Sequence, residues 1–341
     1  MDLQDSPYIE ITPKTLTIIT TYTCNAACEE CCFECSPKVK HRLSLAEIVN
    51  FIELSIQNYP SLEMVVFTGG ECFLLKDDLF AAIKFCTSKG LSTRCVSNGY
   101  WGRHMKKAED ICTKLINAGL CEINFSTGLD HMRWVPIESV INACAALVEK
   151  NIFTLVTVEK DTTESNCYEE IINNSKITEM IKNKKKFRVQ SNSWMAFRTT
   201  SEQRGSVEKQ QLKSGCDQIY NNLTLTPKRE IASCCGLTIE HIPEMRIGDI
   251  NNVNSFRNEQ KDDFLKLWIR VDGPYQILEH VLGREHEALK GIVHACEACA
   301  ILHQNKEVRE KIHSVFENHI LNVYHKWRLI ETSNKEIYHG S

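Results

Sequence analysis

The sequence predicts an α/β fold in which six strand-like runs alternate with helical ones from residue 13 to about residue 195. Three observations carry that prediction. The strand candidates are short, β-branched and almost continuously apolar, as in Met64–Thr68 (MVVFT), which suits a parallel sheet buried on both faces. The helical stretches between them have end signals, with glycine closing two and a capping box opening another. Six β–α repeats in a row call for a parallel sheet covered by its crossover helices.

Taken in order, Thr15–Thr20 (TLTIIT) is the first strand, and a cysteine-rich loop follows to about Pro37. Ser44 with Glu47 three residues on forms a capping box, and Leu45, Ile48, Val49 and Ile52 give that helix its apolar face. After strand Met64–Thr68, a helix from about Asp77 to Lys89 closes at Gly90. Strand Thr93–Ser97 is followed by a helix from about Lys106 to Ala118 that closes at Gly119. Strand Glu122–Ser126, helix Ile137–Lys150 and strand Phe153–Val158 come next, then weaker helical patterns from Tyr168 to about Asn183 and a last strand Phe187–Ser191. Periodicity does not distinguish an open sheet from a curved or closed one.

Composition narrows the class. With 341 residues there is room for one large unit and a smaller one. Hydrophobic residues make up 43% and charged residues 25%, ordinary for a soluble globular protein. A net charge of −4 argues against bulk nucleic-acid binding, and no apolar run approaches membrane-spanning length. The acidic start, Met1-Asp2-Leu3-Gln4-Asp5, is unlike a signal peptide. Seventeen cysteines without an export signal imply a reducing, cytoplasmic setting, where they serve as metal ligands, catalytic thiols or packing residues.

The chemistry concentrates where the first strand ends. Cys24, Cys28 and Cys31 stand at a C-x3-C-x2-C spacing. A [4Fe–4S] cluster usually takes four thiolates, so three leave one iron open to bind and reduce a ligand. The alternatives are a zinc knuckle, which more often uses paired C-x2-C units, and a disulfide staple, which suits a small secreted domain. Further polar clusters follow the next strands: Gly69-Gly70-Glu71, Ser97-Asn98-Gly99, then Ser126, Thr127, Asp130 and His131. Each alone reads as a turn. Together they occupy successive strand ends, where ligands bind in such folds.

The order C-x3-C-x2-C, Thr68-Gly69-Gly70-Glu71, Ser97-Asn98-Gly99 resembles the core of the radical S-adenosylmethionine (radical SAM) enzymes. The resemblance implies a partial (β/α)6 barrel over residues 13–198 and a [4Fe–4S] cluster on Cys24, Cys28 and Cys31, whose open iron takes the amino and carboxylate groups of SAM. It further implies that Gly70 and Glu71 meet the methionine amino group, that Ser97 and Asn98 lie on the ribose side, and that Gly69 and Ser126 also bind the cofactor. Reductive cleavage of SAM would then give a 5′-deoxyadenosyl radical, fed by an electron donor of flavodoxin or ferredoxin type.

Beyond the polar stretch Thr199–Ser214, Cys216 stands alone, a hairpin is predicted from Asn222 to Cys235 around Pro227–Glu230, and Cys296-Glu297-Ala298-Cys299 closes a C-x2-C. Arg246–Asp249 and helical patterns at about Gln260–Val271 and Pro274–Gly283 lie between. Cys216, Cys234, Cys296 and Cys299 would complete a second site, for zinc or for iron–sulfur. The region, residues 199–304, resembles the SPASM/twitch extensions of radical SAM enzymes, which implies one auxiliary [4Fe–4S] cluster. A single amphipathic helix at about Lys306–Trp327 is expected within a tail of residues 305–341.

Cys234 and Cys235 are adjacent, and neighbours on a strand face opposite ways. If Cys234 ligates the second site, Cys235 turns toward the barrel mouth, where its thiol could give a hydrogen atom to a substrate radical; the alternative is a buried packing cysteine. The stretches Cys24–Pro37, Phe67–Glu71, Ser97–Gly102, Cys234-Cys235 and the late C-x2-C together resemble radical SAM epimerases of ribosomally made peptides. That resemblance implies a peptide substrate, Cα hydrogen abstraction and hydrogen return from Cys235. One stretch departs from it: Ser126-Thr127-Gly128-Leu129-Asp130 lacks an acidic residue near position 128. Crosslinking of a peptide, chemistry on a small molecule, and a non-enzymatic iron–sulfur carrier or sensor are the other readings. Cys86, Cys95, Cys112, Cys121, Cys144 and Cys167 are expected in the core, Cys72 is read as packing beside the cofactor, and Cys32 and Cys35 as non-ligands beside the first motif. The basic run Lys182–Lys186 reads as a solvated helix end that could attract an acidic leader peptide, and no peptide-recognition domain is expected before the first strand.

Overall fold

The structure is a computed structural model and describes residues 9–160, 165–183, 186–198 and 207–339. The alternation holds. Strands β1 (Thr15–Ile19), β2 (Met64–Thr68), β3 (Ser92–Ser97), β4 (Glu122–Thr127), β5 (Phe153–Lys160) and β6 (Phe187–Ser193) are parallel and adjacent in chain order. Between them run α1 (Leu45–Asn58), α2 (Asp77–Ser88), α3 (Met105–Ala118), the single turn α4 (Leu129–Met132), α5 (Ile137–Glu149), α6 (Cys167–Ile172) and α7 (Ser175–Asn183).

The local reasons are those the residues supply. Ser44 accepts from the Glu47 amide and Glu47 reaches back to the Ser44 amide, a complete capping box, worth about 1 kcal/mol. Gly119 ends α3 in the left-handed conformation at φ 90°, which costs glycine nothing. The α1 stripe enters the core through Ile48, Phe51 and Ile52, with Leu45 only partly covered. Cys86, Cys95, Cys112, Cys144 and Cys167 are buried as expected, and Cys72 is fully buried with its thiol donating to the Val96 carbonyl. Cys121 is a correction: it is exposed, in the turn between Gly119 and β4, before the strand pulls side chains inward.

Two features of the second half were not visible in the sequence. Strand β7 (Asn222–Leu225) pairs in parallel with β1, so the sheet continues as β6-β5-β4-β3-β2-β1-β7-β8-β9. Strands β8 (Glu230–Ala232) and β9 (Arg246–Asp249) are antiparallel additions. The predicted hairpin forms, but its second strand stops at Ala232, short of Cys234-Cys235, because Ser233 is already bonded to Met245 through its amide. The expected single C-terminal helix is two, Lys306–Val315 and Ile320–His339, with a tight turn at Phe316–His319. Of the linker Thr199–Ser214 and the basic run Lys182–Lys186, residues 199–206 and 184–185 lie outside the described residues.

On β3, β4 and β5 burial alternates residue by residue. Thr93, Cys95, Ile123, Phe125 and Val156 pack under the helices, while Val96, Ser126 and Thr157 point to the opposite, half-open face. The C-terminal ends of that open face hold the site.

Candidate functional site

One cavity of about 250 Å³ gathers most of the residues singled out from the sequence. Cys24, Cys28 and Cys31 line it with Gly69, Gly70, Ser97, Asn98 and Ser126. The cysteine loop is held by backbone pairing: Gly70 N donates to Thr21 O at 2.7 Å, and Glu71 N to Thr23 O at 3.1 Å. The two chains approach so closely that a Cβ at Gly70 would stand 2.3 Å from Thr23 O, and one at Gly69 2.4 Å from Thr21 O. Gly69 also has φ +135°. Only glycine fits at either position.

Glu71 is not in the cavity wall. It is fully buried, and its carboxylate accepts from Phe73 N (3.1 Å), Ser97 Oγ (3.0 Å) and Asn98 N (2.9 Å). Burial nonetheless pushes its pKa up to about 7. Glu71 therefore braces the Ser97-Asn98-Gly99 turn from behind, and Asn98, so oriented, donates to Asn25 Oδ1 at 3.0 Å and reaches within 3.7 Å of Cys24 Sγ.

The three thiols differ electrostatically. Burial raises Cys24 to about 12 and raises Cys28 further. Cys31 is brought down to about 6, chiefly because the Cys35 side chain donates to it, and the Cys35 and Phe33 amides add to this. The Cys35 amide donates to Cys31 Sγ at 3.4 Å.

The departure near position 128 has a structural explanation. Gly128 has φ +144°, and a Cβ there would meet Glu159 Cβ at 2.7 Å and Oε2 at 3.0 Å. The space is filled by Glu159 at the end of β5, which lines the cavity and stands 3.0 Å from His131 Nδ1. Burial alone would lower the His131 pKa, but the facing carboxylate overrides it and the net direction is upward. Sequence reading missed Glu159; the signal was an acidic residue ending an otherwise apolar strand. It also missed Glu30, whose carboxylate accepts from Phe197 N at 2.5 Å while its carbonyl accepts from Trp194 Nε1 at 2.9 Å. Trp194 is thereby held in the cavity wall.

A second cavity, about 200 Å³, is lined by Cys216, Cys234, Cys296 and Cys299. A Cβ on Gly236 would stand 3.2 Å from Cys296 Sγ and 3.4 Å from Cys234 Sγ, so the glycine leaves room beside both thiols. Cys235 does not belong to this set. It lines the first cavity with Cys24, Cys28 and Cys31, and burial raises its thiol to about 12. The adjacent cysteines thus diverge as expected, although by a loop after β8 rather than by strand alternation. Both donor sets are thiol-only, which fits iron–sulfur or zinc. Among the described residues no three His, Cys, Asp or Glu side chains converge tightly enough to grip one ion; the four thiols of the second cavity stand around its wall.

Residues 18–159 match the Radical SAM superfamily. The matched stretch contains the C-x3-C-x2-C loop, both glycines, Ser97, Asn98 and Ser126. A Bacillus subtilis (strain 168) protein named for peptide biosynthesis, YydG, is 27% identical over 129 residues, 38% of this chain and 40% of its own length. The chain thus spans well under half of that curated relative. Among solved structures, native anSMEcpe with bound AdoMet and Cp18Cys peptide superposes with a TM-score of 0.52 at 12% identity, over 91% of this chain and 99% of that one. BtrN in complex with AdoMet and 2-DOIA gives 0.46 at 10% identity, over 84% and 99%. The anSMEcpe likeness is one of fold, a parallel α/β sheet with covering helices. No helix among the described residues is long and apolar enough to cross a membrane.

Proposed function

We propose that this chain is a radical SAM enzyme that epimerises residues of a ribosomally made peptide, with Cys235 as the hydrogen donor. The observation that carries the reading is the split of the cysteine pair. Cys235 shares a cavity with Cys24, Cys28 and Cys31, while Cys234 shares the other with Cys216, Cys296 and Cys299. The match to the radical SAM superfamily and the likeness to a peptide-biosynthesis protein support the reading from a different side.

In this reading Cys24, Cys28 and Cys31 would hold a [4Fe–4S] cluster, and the backbone of Gly69-Gly70 with Ser97, Asn98 and Ser126 would receive SAM. Bound there, the cluster and SAM would supply the radical chemistry that takes a hydrogen atom from Cα. The chain's own contribution follows. Trp194 and Leu237 wall the cavity with apolar surface, which keeps water from a carbon radical. Cys235 gives up the S–H hydrogen atom to the opposite face of Cα, leaving a thiyl. One electron and one proton would restore the thiol, and Cys216, Cys234, Cys296 and Cys299 would hold an auxiliary [4Fe–4S] cluster able to supply the electron. Burial keeps Cys235 protonated at neutral pH, the state in which it has a hydrogen atom to give.

The test is turnover of a candidate peptide in deuterated water. Epimerisation predicts one non-exchangeable deuterium at Cα and no crosslink. Cys235→Ala should still cleave SAM and lose the labelled D-residue. A product lighter by two hydrogens would replace this reading with crosslinking.

A further inference from the structure

The cluster loop continues into an exposed basic strip, Lys38, Lys40, His41 and Arg42. The strip is fastened to the strand that leads into Cys24. Cys24 N donates to Ser36 O at 3.2 Å, Tyr22 N to His41 O at 2.9 Å, and Thr23 Oγ1 to Val39 O at 2.7 Å. Two more cations arrive from the β7–β8 turn. Lys228 Nζ lies over the Tyr22 ring, 5.5 Å from its centroid, and the His41 ring packs edge-on to the same tyrosine at 6.3 Å.

Part of this charge is compensated: Arg42 pairs with Asp78 at 2.7 Å, Lys228 with Glu240 at 3.0 Å and Arg229 with Glu47 at 2.5 Å. Among the described residues no carboxylate pairs with Lys38 or Lys40; Lys40 Nζ donates only to the Pro37 carbonyl, at 2.7 Å. Of the acidic residues on the same loop, Glu29 pairs with Arg133 at 3.4 Å, Glu30 is buried and Glu34 is exposed. The strip lies against the backbone that positions Cys24. None of Lys38, Lys40, His41 and Arg42 is among the residues that line the cavity.

We propose that Lys38 and Lys40, with His41 and the Lys228 side of the β7–β8 turn, form the docking surface for an acidic one-electron carrier protein. The inference rests on the radical SAM reading of Cys24, Cys28 and Cys31. Opposite charge steers the carrier to the strip, and the tie from Ser36 to Cys24 makes this the side on which an electron has a short way in. The carrier is oxidised by one electron. That electron breaks one carbon–sulfur bond of SAM, giving methionine and the deoxyadenosyl radical, and no proton is transferred in the step. Without peptide, the radical ends as 5′-deoxyadenosine by taking a hydrogen atom from buffer or reductant.

The experiment uses the full chain with reconstituted iron–sulfur content, flavodoxin as the probe, and the double variant Lys38→Glu/Lys40→Glu. Flavodoxin binding, followed by titration, should weaken about tenfold in the variant. In the wild type it should weaken similarly when salt rises from about 0.05 to 0.3 M. Formation of 5′-deoxyadenosine driven by reduced flavodoxin should fall in parallel. Formation driven by dithionite should not change, and Lys38→Arg/Lys40→Arg should behave as wild type. Carbodiimide crosslinks to flavodoxin should map to Lys38 or Lys40. Equal slowing with both reductants, unchanged flavodoxin binding, or crosslinks elsewhere would overturn the proposal. So would loss of an acidic peptide's binding with flavodoxin rates intact. Absence of dithionite-driven cleavage in the wild type would instead count against the radical SAM reading, and the binding titration would still decide the docking surface.

Discussion

The two cysteine-lined cavities are built in opposite ways. In the first, Cys24, Cys28 and Cys31 come from one loop of eight residues, and the partners at Gly69-Gly70, Ser97-Asn98 and Ser126 come from consecutive strand ends of a parallel sheet. In the second, Cys216, Cys234, Cys296 and Cys299 come from a loop before β7, the turn after β8 and the helix Ala295–Gln304. The first site is specified locally and presented by a repeating fold. The second exists only when distant parts of the chain have packed. The sharpest contrast is at Cys234-Cys235, where adjacent residues serve one cavity each.

Removing ligands should separate the cavities most strongly. Cys31→Ala should remove the iron of the first site, about four atoms per chain, and with it all SAM cleavage, while iron at the second site remains. Cys299→Ala should do the reverse: SAM cleavage persists, and the iron lost belongs to the second site. Iron and sulfide analysis with 5′-deoxyadenosine measurement checks both. If either variant emptied both cavities, the two sites would be one cooperative unit and the comparison would fail.

The glycines offer the next largest effect, and an asymmetric one. At Gly70 a methyl group would press to 2.3 Å against the Thr23 carbonyl, which is backbone and cannot step aside. Gly70→Ala should cost about 3 kcal/mol or more and weaken SAM binding by displacing the loop that carries Cys24. At Gly236 the neighbours are the Cys296 and Cys234 sulfurs at 3.2 and 3.4 Å, ends of side chains that can give. Gly236→Ala should cost under about 1 kcal/mol. Chemical denaturation of the two metal-free variants measures the difference, and equal costs would mean the second cavity is as rigid as the first.

The same asymmetry explains what could be read in advance. β1 to β6 were legible because buried parallel strands are apolar runs and their helices have a local start signal at Ser44 and stop signals at Gly90 and Gly119. The first site was legible because each contributor follows a strand. The parallel pairing of β1 with β7 left no trace, since pairing between Thr15 and Asn222 spans the whole barrel and depends on packing rather than period. The end of β8 at Ala232 was hidden for the same reason: the Met245 carbonyl that takes over at Ser233 is set by β9. Glu71 was placed in the right neighbourhood, but the direction of its carboxylate follows from the donors at Phe73, Ser97 and Asn98, which no spacing rule encodes.

Glu159 is the clearest case of long-range substitution inside the first site, and it yields the smallest effect and the one that depends on pH. It fills the space over Gly128 and faces His131 at 3.0 Å, with side chains only 6% and 19% exposed. Because the folded pKa of His131 is raised, the protonated imidazole stabilises the fold below its unfolded value near 6.5. That contribution is lost as pH rises through the folded pKa. The denaturation free energy of metal-free wild type should therefore exceed that of His131→Gln at pH 6, with the gap closing as pH rises. Glu159→Gln should flatten the pH dependence even with His131 in place, because it removes the charge that raises the imidazole. A gap that stayed constant with pH would mean that His131 contributes packing alone, and that the carboxylate over Gly128 fills space without setting the charge of the cavity wall.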